Sequence, residues 1–160
     1  MLIKDLMRTN VETCRPDSPL EAVALMMWNH DCGAIPVVDE DRKPIGMITD
    51  RDIAMGCSLN HKALWELRAG DILNHRSLYS CDSEQELDSL LDIMKEHQVR
   101  RIPVTDKQGK LAGIVSLGDA INVAKKTTRS NNSLSYNKVM DVLKSVSNPE
   151  HFDHELVQAG

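Results

Sequence analysis

Two places in the chain set a hydroxyl three residues ahead of a carboxylate: Thr49-x-x-Asp52 and Ser116-x-x-Asp119. An ionised carboxylate accepts hydrogen bonds and donates none, so such an Asp can take two O–H donors from a ligand. The same spacing at the start of a helix is also a capping box, which satisfies backbone amides and requires no ligand. Both can hold at one place, because a helix N-terminus leaves amides free for an anion. Cations stand close by in sequence: Arg51 lies inside the first motif, and Arg100 and Arg101 precede Ile102-Pro103. A guanidinium beside a cleft can bind phosphate through two parallel hydrogen bonds. On a solvated strand edge it has no such role.

The remaining reactive residues point away from catalysis. Ser-His-Asp and Cys-His constellations, HExxH, a P-loop and G-x-G-x-x-G are all missing from the sequence, so no enzyme is expected. His30 and His97 stand near predicted helix ends, where a cation is favoured, and are read as capping or packing residues. His151 and His154, with Asp153 and Glu155, have no fixed framework, and no metal site is expected. Cys14, Cys32, Cys57 and Cys81 show no C-x-x-C spacing and are read as reduced thiols.

The elements that position these residues come in duplicate. The stretch AIPVVDEDRKPIGMITDRD, from Ala34 to Asp52, returns 67 positions later as RIPVTDKQGKLAGIVSLGD, from Arg101 to Asp119. Without a gap, residues 11–52 align with 78–119, and Cys14, Met27, His30, Ile35, Pro36, Val37, Asp39, Lys43, Gly46 and Asp52 recur identically. Such self-similarity means two copies of one unit. Short opening turns, LIKDLM and AGDIL, begin each copy, at an offset of 66. The alternating runs Val11–Cys14 and Leu78–Cys81 predict half-buried strands. Leu20, Val23, Ala24 and Met27, answered by Leu87, Leu90, Leu91 and Met94, predict amphipathic helices. Ser18 and Ser83 are the expected caps, with Pro19 as a first helical residue and an earlier start for the second helix. Strands beginning at Ile35-Pro36 and Ile102-Pro103, with proline at the tolerant end, then lead through polar turns to Ile45–Ile48 and Ala112–Val115, and second helices begin near Asp52 and Asp119.

The expected class is therefore α/β (α+β), a β-α-β-β-α unit used twice. Residues 1–57 form the first repeat, 58–68 a connecting segment and 69–126 the second repeat; 127–160 are a polar linker and a C-terminal helical tail. Val139, Val142, Leu143 and Val146 give that tail its helical spacing. It could fold back, pair with a second chain or extend as an arm. Met26, Met27, Met47, Met55 and Met94 are expected as core filler.

A chain of 160 residues can bury a sizeable core, and its net charge of −5 lacks the basic footprint of nucleic-acid binding. The N-terminus reads neither as a signal peptide nor as a membrane span, so a cytoplasmic protein with no membrane association is expected.

Taken together, Val-x-Thr (Val11, Thr13), Ser-x-Leu-Glu-Ala (residues 18–22, with Leu20), Met27, Ile-Pro-Val-Val-Asp (35–39) and Gly-x-Ile-Thr-x-Arg-Asp (46–52) resemble a tandem pair of CBS domains, the cystathionine β-synthase type regulatory module also called a Bateman module. The resemblance covers residues 1 to about 125. It implies two repeats packed about a pseudo-twofold axis, with two clefts that bind AMP, ADP, ATP, NAD-type dinucleotides or S-adenosylmethionine as a regulatory ligand. No obligatory cofactor, a disc-like homodimer and an unknown protein partner are also implied. The implied nucleotide-binding residues are Thr13, Ala34, Ile35, Pro36, Thr49, Arg51, Asp52, Ser80, Arg100, Arg101, Ile102, Pro103, Ser116 and Asp119. Ala34 against Arg101, and Arg51 against Gly118, make the two sites chemically unequal. The better one is expected where Arg101, Ser116 and Asp119 meet. The competing reading is a structural module with empty clefts, assembled through the C-terminal helix.

Overall fold

The computed structural model describes residues 1–73, 78–126 and 134–147. In the first repeat the order is α1 (Leu20–Asn29), β1 (Ala34–Val38), β2 (Pro44–Thr49) and α2 (Asp50–Asn60). A short helix, α3 (Ala69–Ile72), opens the second repeat. It is followed by β3 (Cys81–Asp82), α4 (Leu87–Glu96), β4 (Arg101–Thr105), β5 (Leu111–Ser116) and α5 (Leu117–Lys126), and the tail carries α6 (Tyr136–Ser147). Each repeat is built on an antiparallel hairpin, β1–β2 or β4–β5, in the same register: Ala34 faces Thr49 and Arg101 faces Ser116. Asp39 and Asp106 shape the two turns alike. Each places Oδ1 where two backbone amides donate to it, those of Asp41 and Lys43 in the first and of Gln108 and Lys110 in the second. Arg42 and Gly109 occupy the matching left-handed position, with φ of 63° and 77°.

The first expected strand shrinks to a single bridge, Cys14 beside Val37, and its counterpart to two residues. Proline explains both. Cys14 donates to Pro36 O and Val38 donates to Cys14 O. The next rungs on either side would require amides at Pro36 and Pro16, which do not exist. In the second repeat residue 83 is Ser, and its amide adds the rung to Thr105 O at 2.9 Å. Pro36 and Pro103 thus sit at the third position of their strands, not at the ends, and they limit the parallel ladder.

The helix starts also differ from expectation. Ser18 makes no cap: its Oγ accepts from the Arg15 amide, and Pro19 precedes α1 in extended geometry. Nor does α4 start early. The free amides are satisfied across the repeats, Leu20 N donating to Leu67 O and Leu87 N to Met1 O, each at 2.9 Å. Ala69 N and Ile3 N likewise donate to Ser18 O and Gln85 O. Each opening turn therefore docks on the other repeat. Ile3 lies in the core of the second with Cys81, Leu87, Leu91 and Ile102, and Leu67, Ala69 and Ile72 lie in the core of the first with Cys14, Leu20, Val23 and Ile35. Burying one such aliphatic side chain is worth on the order of 1.5–3 kcal/mol. This exchange fixes the two units about their pseudo-twofold axis.

The tail folds back. Val139, Val142 and Val146 are buried against α4 and α5. The polar linker at 127–133, the segment from Asn148 and the histidines at 151 and 154 lie outside the described residues. Among the described residues all four cysteines are free thiols, and burial pushes Cys14 and Cys81 up to about 11 each, as befits equivalent core positions. Met55 departs from the core-filler expectation: it is exposed on α2.

Candidate functional site

At the entrance to α2, Thr49 N and Oγ1 donate to Asp52 Oδ2 at 2.9 and 2.8 Å, and Asp52 N donates back to Thr49 Oγ1 at 3.1 Å. Ser116 and Asp119 repeat this at α5: Ser116 N and Oγ donate to Oδ2, and Asp119 N donates to Ser116 Oγ at 3.2 Å. Both capping boxes are therefore present. Each uses only one carboxylate oxygen, and the other oxygen is where the sites diverge.

Asp119 Oδ1 receives the guanidinium of Arg8, Nε at 2.9 Å and Nη2 at 2.7 Å. Asp119 is the buried charged residue among the described ones. Burial disfavours its charge, but the Ser116 hydroxyl and amide and the Arg8 guanidinium outweigh that cost and hold the carboxyl below the ordinary 3.8. Asp52 Oδ1 meets no cation among the described residues. The positions answering Arg8 in the second copy, 74 and 75, lie outside them.

Arg8 is held there by main-chain pairing. Its amide donates to Ile114 O and Ile114 N donates to Arg8 O, both at 3.0 Å, so the opening segment lines the free edge of β5. Gly113 permits this approach: a Cβ there would stand 2.7 Å from Arg8 O. No local spacing links residue 8 to residue 119. The signal that could have found the pair is the crossed docking of the opening turns.

Arg101 neighbours Ser116 across the hairpin and is exposed. Its Nη2 lies 3.8 Å from the point where a Cβ on Gly33 would stand, with Asp50 Oδ2 3.1 Å from the same point. It thus reaches over the first repeat. Arg100 points elsewhere, donating through Nη2 to Val146 O at the end of α6 at 2.9 Å. Arg51 is exposed, Thr13 half-buried and Ser80 exposed. Ala34, Pro36 and Pro103 are buried in their strands, and the side chains of Ile35 and Ile102 are taken up by the two cores. His30 and His97 stand at the C-terminal ends of α1 and α4. His30 Nε2 is 3.5 Å from Glu12 Oε1, and His97 stacks on Tyr79, the residue answering Glu12, with centroids 3.7 Å apart. Among the described residues no group of three metal-ligating side chains converges.

A cavity of about 400 Å³ opens between α1 and the start of α2, lined by Met27, Trp28, Asp31, Cys32, Asp50 and Ile53 among others. All its lining residues belong to the first repeat, and Asp119 is not among them.

Comparison with known proteins agrees with the duplicated fold. The CBS domain family matches residues 3–57 and 69–126. Uncharacterized protein YlbB of Bacillus subtilis is 34% identical, over 95% of this chain and 98% of its own. The CBS domain pair of protein MJ0100, solved in complex with 5'-methylthioadenosine and S-adenosyl-L-methionine, is 24% identical with a TM-score of 0.68, over 80% of this chain and 98% of that one. CBSX2, solved in complex with AMP, is 23% identical with a TM-score of 0.67 over the same shares, 80% and 98%. The chain belongs to the CBS domain family, as a tandem pair of such domains.

Proposed function

We propose that this chain is a non-catalytic cytoplasmic sensor that binds an adenosine-containing nucleotide at the α5 entrance and passes the binding state to a partner or through a dimer. The observation that carries this reading is the buried, ionised Asp119, which takes the Ser116 hydroxyl and the Arg8 guanidinium at a helix N-terminus. A carboxylate that accepts ribose hydroxyls, amides at a helix start and a guanidinium for phosphate form a chemically complete set. The complexes of MJ0100 and CBSX2 with adenosine-type ligands support it by analogy of fold. Among the described residues no helix is long and apolar enough to cross a membrane. Binding shifts an equilibrium only by its differential affinity for two states. A thermal-shift panel of AMP, ADP, ATP, NAD(H) and S-adenosylmethionine tests the reading. A ligand at a hundred times its dissociation constant stabilises by about 2.7 kcal/mol, whereas a flat panel favours the structural module with empty clefts.

The homodimer belongs to the same proposal, through one face. On α1 and α2, Leu25, Trp28, Met55 and Leu59 are 55%, 83%, 46% and 61% exposed. The residues answering Leu25 and Trp28 on α4 are Asp92 and Lys95, and both meet α6: Lys138 pairs with Asp92 at 3.0 Å, and Ser145 Oγ donates to Lys95 O at 2.8 Å. The chain's own tail thus covers the second repeat where the first is bare and apolar. A second copy, presenting the same uncharged patch about a twofold axis, is the occupant that covers it.

A further inference from the structure

Asp119 is saturated without any ligand. An ionised carboxylate offers about four acceptor sites. Here Oδ2 takes the Ser116 amide and hydroxyl, and Oδ1 takes Arg8 Nε and Nη2. Ribose hydroxyls therefore cannot bond to Asp119 until one set of donors leaves.

The two sets are not equally removable. Ser116 and Asp119 close the first turn of α5 on itself, so breaking that set uncaps the helix. Arg8 holds on by its side chain alone. That side chain is 68% exposed, while its backbone stays pinned to Ile114 by two hydrogen bonds. A planar guanidinium on a long stem, anchored at its base, can turn from one carboxylate oxygen to a nearby phosphate, where its fork can pair with two oxygens.

We propose that Arg8 is a displaceable occupant of the ligand site: it holds Asp119 Oδ1 in the free chain and exchanges that carboxylate for the phosphate when a nucleotide binds. This rests on the nucleotide reading of Asp119 given above. Its consequence is selectivity. Adenosine displaces Arg8 and offers it nothing in return, whereas AMP supplies a new anion. The opening segment, which begins the first repeat, is thereby made responsive to a ligand held by the second.

The test is isothermal titration of the full chain with adenosine and with AMP, for wild type, Arg8→Gln and Arg8→Lys, after circular dichroism confirms folding. The expected result is that Arg8→Gln binds adenosine more tightly and AMP more weakly, so that the preference for AMP falls on the order of tenfold, the size of a charge-assisted pair. Arg8→Lys, which keeps the charge and loses the fork, should retain part of the preference. An unchanged AMP-to-adenosine ratio in Arg8→Gln, or equal weakening of both ligands, overturns the role of Arg8 and leaves the nucleotide site standing. Wild type that binds neither ligand removes the site and this proposal together.

Discussion

Arg8, near the start of the first repeat, and Asp119, at the last helix of the second, are 111 residues apart in sequence and 2.7 Å apart at their charged atoms. The pair joins the crossed opening segment to the helix entrance on which a ligand would depend. Arg8 is largely exposed and Asp119 is buried, so the pair is asymmetric, with the carboxylate enclosed and the guanidinium open to solvent.

The depressed titration of Asp119 makes stability depend on pH with a definite sign. Its carboxyl ionises below the ordinary 3.8, so the folded chain favours the charged form. The resulting stabilisation is full above that value, at neutral pH, and is lost as pH falls through the lower folded value. Acid unfolding followed by circular dichroism should show wild type losing stability more steeply below about pH 4 than Asp119→Asn, which has no carboxyl to protonate. Parallel curves would contradict the assignment.

Gly113 and Gly46 answer each other in the repeats, and alanine should cost more at the former. A Cβ at Gly113 would stand 2.7 Å from the Arg8 carbonyl and 2.9 Å from Met7 Sδ, while at Gly46 the nearest atoms, from 2.4 Å, belong to the Leu73 side chain. Backbone pinned by two hydrogen bonds gives less readily than a side-chain end. Gly113→Ala should lose about 1–3 kcal/mol, a fall in Tm of roughly 2–4 °C per kcal/mol for a chain of this length, and Gly46→Ala less. Equal losses by differential scanning calorimetry would argue against a tightly docked opening segment.

Trp28 is the most exposed large apolar residue among the described ones, at 83%. Trp28→Glu should convert a dimer to a monomer in light scattering coupled to size exclusion, without lowering Tm in the monomeric range, because the side chain is 83% exposed and stands outside both cores. A monomeric wild type, or a dimer indifferent to this change, would remove the interface from the α1–α2 face.

The duplicated architecture was legible because the repeat keeps one register over two hairpins and the helical stripes Leu20–Met27 and Leu87–Met94. What escaped was long-range. Pro16 and Pro36 cut the expected first strand to one bridge, which follows from missing amides only once the parallel partner is known. Ser18 reads as a cap by spacing, yet the Leu67 carbonyl satisfies the helix start from the segment that leads into the other repeat. Arg100 and Arg101 are adjacent in sequence, but strand alternation sends one to the end of α6 and the other toward Gly33. The hydroxyl-x-x-Asp pairs were legible as caps. The partner of Asp119 was not, because no local pattern encodes a contact made by the crossed opening turn.

Titration of AMP into wild type, Asp119→Ala and Asp52→Ala, read as affinity and stoichiometry, decides whether the α5 entrance holds the nucleotide. Asp119→Ala should abolish the tighter binding event, and Asp52→Ala should preserve it. Unchanged affinity and stoichiometry in Asp119→Ala would contradict that placement.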